Sequence, residues 1–178
     1  MERKSTKLFR IATPAGLGPI PEKEPLNGRP NSENGIHRVC VTSPVMMTSE
    51  PQLLPLRHLP DAAGTLISTQ DAAGLPFAVQ RVFWVFASAQ GTQRGGHAHR
   101  TTQELLVVLQ GTVRVETQTA QGRKTFELTG PTQSLYIPPL CWITVHPSAN
   151  AVLCCMTSTV FNEADYIREY SIFQNELR

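Results

Sequence analysis

The sequence predicts an all-β chain: an antiparallel sandwich or barrel of about eight strands, with a short C-terminal helix and an irregular N-terminal extension. Three observations carry that prediction. Short β-rich runs recur at intervals of about eight to twelve residues from residue 65 onward. Glycine and proline separate them, and no stretch between them has the period of a helix.

In chain order, residues 1–60 come first. Nine of the fourteen prolines lie there, with frequent Gly, Ser and Asn, so the segment is expected to be irregular and to bury little apolar surface. Val39–Val41 and Val45–Met47 are its candidates for contact with the folded body. Residues 61–178 form the expected domain. Thr65–Thr69, Val79–Phe86, Leu105–Gln110, Thr112–Thr117, Lys124–Leu128, Ser134–Ile137, Trp142–His146 and Ala151–Thr157 read as strands. Gly91, Gly95-Gly96, Gly111, Gly122, Gly130-Pro131, Pro138-Pro139 and Pro147 mark the turns. At the end, Asn162 can cap a helix whose face carries Tyr166, Ile167, Tyr170 and Phe173. That helix is expected to pack on the barrel and carry no chemistry.

Composition narrows the function classes. A net charge of +2, with no run of Lys or Arg, gives no electrostatic footprint for nucleic acid. No apolar run is long enough to cross a bilayer, and no signal peptide is visible, so a soluble, cytoplasmic chain is expected. Cys154 and Cys155 are adjacent while Cys40 and Cys141 are isolated. Without a CxxC pair, these read as free thiols of a reducing compartment.

The informative segment is Gly91-Thr-Gln-Arg-Gly-Gly-His97-Ala-His99-Arg-Thr-Thr-Gln-Glu104, followed after six residues by Gly111. Its spacing matches the first motif of the cupins, which are jelly-roll barrels (double-stranded β-helices), at every fixed position. Residues two apart on a strand point the same way, so His97 and His99 share a face and Ala98 takes the other. Glu104, at the start of the next strand, can reach back toward the pair. The second cupin motif would supply a fourth ligand to a metal. Here it reads Pro138-Pro-Leu-Cys-Trp-Ile143, with Leu140 in the glycine place and Ile143 in the ligand place. His146 stands three residues beyond Ile143, an odd separation that puts it on the opposite face.

Four segments together resemble one family: Arg81-Val-Phe-Trp84, Arg94-Gly-Gly-His-Ala-His99, Leu135-Tyr-Ile-Pro-Pro-x-x-Trp142 and Asn162-Glu-Ala-Asp-Tyr-Ile-Arg168-Glu-Tyr170. They are similar to the dTDP-4-oxo-6-deoxyglucose 3,4-ketoisomerases, cupins of the WxcM-like group, over about residues 60–173. The resemblance implies a cofactor-free and metal-free cupin, usually a homodimer, acting on a dTDP-linked keto-deoxyhexose. It implies His97 and His99 as the proton-handling pair. A ketone moves from C4 to C3 when a proton leaves C3 and one arrives at C4, and imidazoles with ordinary pKa values near 6.5 suit that exchange. Arg81 and Arg94 are the candidates for the diphosphate, because the guanidinium fork grips phosphate oxygens. Trp84, Tyr136, Trp142 and Glu104 are candidates to line the sugar nucleotide.

The chain also departs from the family pattern. Ala63 and Gln70 replace an arginine and a glutamate of the family's opening signature, Phe83 replaces a tyrosine, and Ile143 and Thr144 replace a polar pair. Two alternatives therefore stand beside the isomerase: a metal-dependent cupin enzyme using His97, His99 and Glu104, and a non-catalytic module that binds sugar nucleotides.

Overall fold

The computed structural model describes residues 48–69 and 75–177. The contact candidates Val39–Val41 and Val45–Met47 lie outside the described residues. Two five-stranded antiparallel sheets face each other, in the manner of a jelly roll. One has the order β1 (Gln52–Pro55), β9 (Gln133–Ile137), β6 (Glu104–Gln110), β11 (Val152–Thr157), β4 (Arg81–Val85). The other runs β12 (Tyr166–Ile167), β5 (Arg94–His99), β10 (Trp142–Pro147), β7 (Val113–Thr119), β8 (Gly122–Leu128). A separate hairpin, β2 (His58–Asp61) with β3 (Gly64–Ile67), is exposed except at Ile67.

Alternation along the strands sorts side chains into three layers. Leu106 and Val108 of β6, Val113 and Val115 of β7, Val145 of β10 and Leu153 of β11 meet between the sheets as the barrel core. Leu105, Val107, Tyr136 and Met156 point outward from the first sheet and are covered by Leu54, Leu56 and Leu75. Ala98 points outward from β5 and is 1% exposed against Ile167 and the helix residue Phe173. Its methyl group is what lets that layer close over β5.

All eight expected strands are present. Two expectations change. The stretch expected to be irregular up to residue 60 contains β1, whose Leu54 sits opposite Ser134 of β9 and buries its side chain, so tertiary pairing orders a run too short to be read from propensity. The single C-terminal helix is divided. Asn162 caps one 3₁₀ turn over Glu163–Asp165, the chain then extends through β12, and α1 spans Tyr170–Glu176. β12 pairs with His99 and Ala98, and that pairing overrides the helical spacing of Tyr166 and Ile167.

Two glycines position the histidine strand and its neighbour. Gly95 has φ +77, and a Cβ there would lie 2.7 Å from the Ile143 carbonyl oxygen. Gly111 has φ +74, and its Cβ would meet Ala151 Cα at 2.8 Å. Both positions need a residue without a side chain. Leu140, in the glycine place of the second motif, nevertheless adopts φ +53.

Candidate active site

His97 and His99 face the barrel interior, on the opposite side of β5 from Ala98. Their ring centroids are 5.1 Å apart and the rings stand edge to face. His99 is 5% exposed and His97 is half-buried. Opposite, β6 begins with Glu104, whose side chain shares the interior face with Leu106 and Val108. One donor atom each from His97, His99 and Glu104 lie within 4.8 Å of one another, a grouping that could hold a metal ion.

The turn before β12 adds a residue that stands in the Asn162–Tyr170 motif but was not among the expected site residues. Asp165 is buried and its Oδ2 lies 3.1 Å from His99 Nδ1. The same carboxylate accepts from the Thr101 amide and hydroxyl at 2.8 and 2.7 Å and from the Thr102 hydroxyl at 2.6 Å. Burial alone would raise its pKa; the hydrogen bonds from Thr102, Thr101 and His99 overcome that and hold it at about 2. Asp165 is therefore an anion, and Nδ1 of His99 must carry the proton shared with it. That tautomer leaves Nε2 of His99 as a lone pair. The C-terminal segment, expected only to pack on the barrel, thus reaches the histidine pair through Asp165. Its one sequence signal was an acidic residue among the apolar positions Tyr166, Ile167 and Tyr170.

Electrostatics keep the imidazoles neutral. Desolvation, then the neighbouring His97, lowers His99 to about 4 despite Asp165. Desolvation also lowers His97, assisted by the charges of Arg168 and Arg81 and opposed by Glu163. Glu104 moves the other way: burial raises it to about 7, against a smaller opposing effect of Arg81, and among the described residues its Oε2 has no hydrogen-bond partner. At neutral pH the cavity therefore holds lone pairs on nitrogen and a carboxyl poised between its two forms.

Tyr166 forms the wall of this cluster, with its ring 4.2 Å from that of His99 and 5.1 Å from that of His97. Its hydroxyl accepts from Arg81 at 3.3 Å, and Arg81 also donates to Thr157 Oγ1 at 3.3 Å. Arg81 also stacks on Phe83 and Phe161, and through Tyr166 it adjoins the histidine pair; the expectation for it was the diphosphate.

The remaining expected site residues are elsewhere. Trp84 is 58% exposed on the outer face of β4, because it stands three positions, an odd step, from the inward-facing Arg81. Tyr136 lies between the inward-facing Leu135 and Ile137, so it packs in the outer layer and its hydroxyl donates to Gln103 Oε1 at 3.0 Å. Trp142 alternates with the inward-facing Ile143 and packs against Tyr170 and Phe173 under α1. Arg94 is exposed at the first residue of β5, opposite Val145. Ile143 is buried in the core, and His146 faces away from it, 3.6 Å from Glu116, as the odd spacing requires. Among the described residues Cys141, Cys154 and Cys155 are free, and burial pushes the Cys141 thiol to about 12, which removes it as a nucleophile. No helix among the described residues is long and apolar enough to cross a membrane.

Comparison with known proteins gives a consistent picture. The family model described as FdtA, WxcM-like, C-terminal matches residues 49–178. A TDP-4-oxo-6-deoxy-alpha-D-glucose-3,4-oxoisomerase from Aneurinibacillus thermoaerophilus is 29% identical over 126 residues, covering 70% of this chain and 91% of the relative. A variant of the 3,4-ketoisomerase QdtA from Thermoanaerobacterium thermosaccharolyticum, solved with TDP-4-keto-6-deoxyglucose, superposes with a TM-score of 0.70 at 27% identity, covering 74% of this chain and 96% of that one. The WlaRB TDP-quinovose 3,4-ketoisomerase from Campylobacter jejuni gives 0.68 at 27% identity, covering 72% and 99%.

Proposed function

We propose an activity from one premise: the chain belongs to the FdtA, WxcM-like C-terminal family. It is a sugar-nucleotide isomerase of deoxysugar biosynthesis that moves the keto group of dTDP-4-keto-6-deoxyglucose from C4 to C3. The observation that carries this reading is the paired imidazoles inside the barrel, with His99 held in one tautomer by Asp165.

The reaction needs two proton movements and no net electron transfer. A base removes the proton on C3, the electron pair forms the C3–C4 double bond, and the C4 oxygen becomes the enediolate oxygen. Reprotonation at C4 and transfer of the C3 hydroxyl proton to the C4 oxygen complete the exchange. His99 takes the carbon proton, because its Nε2 is unprotonated and its Nδ1 is tied to an anion that stabilises the imidazolium as it forms. His97, half-buried beside it, serves the oxygens. Arg81 and the hydroxyl of Tyr166 face the developing enediolate charge, and Glu104, poised near neutrality, hydrogen-bonds a sugar hydroxyl. Arg94, exposed at the start of β5, is left to meet the nucleotide's phosphates. The test is turnover of dTDP-4-keto-6-deoxyglucose in deuterated water followed by proton NMR. Deuterium at C3 or C4 supports the reading, and binding without exchange would leave only a sugar-nucleotide-binding module.

A second reading, a metal-dependent enzyme, is favoured by the proximity of the His97, His99 and Glu104 donor atoms. Those three would hold the ion, which would act as a Lewis acid, and the apolar Ile143 offers no fourth ligand. Stoichiometric iron or nickel in protein purified without chelators, with activity lost on its removal, would decide for it.

The chain is further proposed to act in the cytoplasm as a homodimer. Val82, Trp84 and Phe86, at 43%, 58% and 65% exposure, form an apolar row on the outer face of edge strand β4, and a second copy is the proposed cover. Light scattering that reports a monomer at micromolar concentration would remove that assignment.

A further inference from the structure

Resting on the reading of the ligand as a nucleotide diphosphate sugar, we propose that Arg168 grips the diphosphate and that Glu163 occupies its fork until the substrate displaces it. Neither residue entered the expected site.

Among the described residues, the pair Arg168–Glu163 is the one ion pair in which two guanidinium nitrogens meet both carboxylate oxygens. Nε donates to Oε1 at 2.6 Å and the terminal Nη2 to Oε2 at 2.9 Å. The pairs Arg100–Glu176, Arg114–Glu116 and Lys124–Glu50 each rest on one contact. Two parallel bonds to two oxygens are the arrangement in which arginine also binds phosphate, so Glu163 presents to Arg168 the shape and charge of half a diphosphate.

Position supplies the second argument. The Arg168 guanidinium lies 4.5 Å over the Tyr166 ring, and that ring also packs against His97, His99 and Phe161. Arg168 thus stands one aromatic ring out from the reacting groups, at the rim. In a nucleotide sugar the diphosphate hangs from C1, across the hexose from C3 and C4. A sugar whose C3 and C4 rest against the histidines must send its diphosphate outward, toward the rim. Arg81 is differently placed: its guanidinium is engaged by Thr157, Tyr166, Phe83 and Phe161 and serves the interior. The charges of both Arg168 and Glu163 are felt at His97, in keeping with a place at this mouth.

The exchange costs little. Both side chains are more than half exposed, so the Glu163 carboxylate passes into water still ionised. Breaking the pair is nonetheless a cost that the ligand must meet before it can bind. Glu163 therefore lowers the affinity for the diphosphate while holding Arg168 in the binding geometry.

The experiment is a calorimetric titration of TDP into the full chain and three variants. Glu163→Gln is expected to bind TDP about two- to fivefold more tightly, the scale of one exposed ion pair. Arg168→Gln is expected to bind it roughly tenfold or more weakly, and the double variant should match Arg168→Gln, because nothing remains for Glu163 to block. Thymidine, which lacks the diphosphate, should bind all four proteins alike, and an altered thymidine affinity would show instead that the substitutions disturb the barrel, overturning the proposal. Unchanged or weaker TDP binding by Glu163→Gln, or a gain that persists without Arg168, overturns it as well. If the wild-type chain turns over the keto sugar while no variant changes TDP affinity, the isomerase reading stands and this inference falls. If the wild-type chain neither binds TDP nor turns over the sugar, both fall.

Discussion

The two ends of one barrel interior differ in chemistry although the same strands build both. On β6 the inward positions run Glu104, Leu106, Val108; on β11 they run Thr157, Cys155, Leu153; on β4 they run Arg81, Phe83, Val85. At the closed end the inward residues Val108, Val113 and Val115 are apolar and fully buried. At the mouth the inward residues are Arg81, His97, His99, Glu104 and Thr157, and Asp165 closes the turn behind them. The apolar end supplies burial energy and rigidity, and the polar end spends part of that stability on groups held away from their preferred protonation states. Changes at the mouth should therefore move chemistry, and changes at the closed end should move stability.

The largest effect is expected at the mouth. His97→Asn should lower turnover by about 10²–10⁴ with the fold retained, as judged by circular dichroism. Full activity would remove His97 from the mechanism and blur the contrast between the ends. At the closed end, Leu106→Ala should cost about 2–5 kcal/mol of stability in urea unfolding, because Leu106 is 1% exposed among close-packed neighbours. A loss of turnover without a loss of stability in that variant would place chemistry where only packing is expected.

A third prediction uses pH to separate two mouth residues. Burial holds Glu104 at about 7, above its unfolded value, so its contribution is present at low pH and is lost as pH rises through about 7. His99, at about 4, lies below its unfolded value near 6.5, so its contribution is present above about pH 6.5 and is lost as pH falls toward 4. Between those values the folded chain keeps a proton on Glu104 and the unfolded chain keeps one on His99, and the two slopes oppose each other. Glu104→Gln removes one of them. Its stability should then fall by about 3 kcal/mol between pH 6.5 and pH 4 relative to wild type, and parallel curves for the two proteins would refute the pairing. The smallest effect belongs to Asp165, which acts through His99. Asp165→Asn should lower turnover by about 10–100-fold. It should also shift the His99 titration, followed by nitrogen NMR, to lower pH, since the carboxylate raises that pKa. An unmoved midpoint would make Asp165 merely structural.

The sequence reading succeeded where local rules suffice. Eight strands were legible from alternation and turn residues, and the shared face of His97 and His99 followed from their spacing. It failed for Trp84, Tyr136 and Trp142, which were assigned by residue type when their parity relative to Arg81, Leu135 and Ile143 already put them on other faces. It missed β1, whose order comes from its partner β9, and the contact of Asp165 with His99, 66 positions away in the chain.

By itself the sequence determined which residues alternate, where the chain turns, and that two imidazoles share one side of a strand beside a glutamate. Those properties depend on bond geometry over a few residues. Tertiary structure alone decided which side is the inside, which carboxylate fixes the tautomer of His99, and which arginine stands at the rim. Such choices are made by the pairing of β12 with β5 and of β4 with β11, contacts that join residues far apart in the chain.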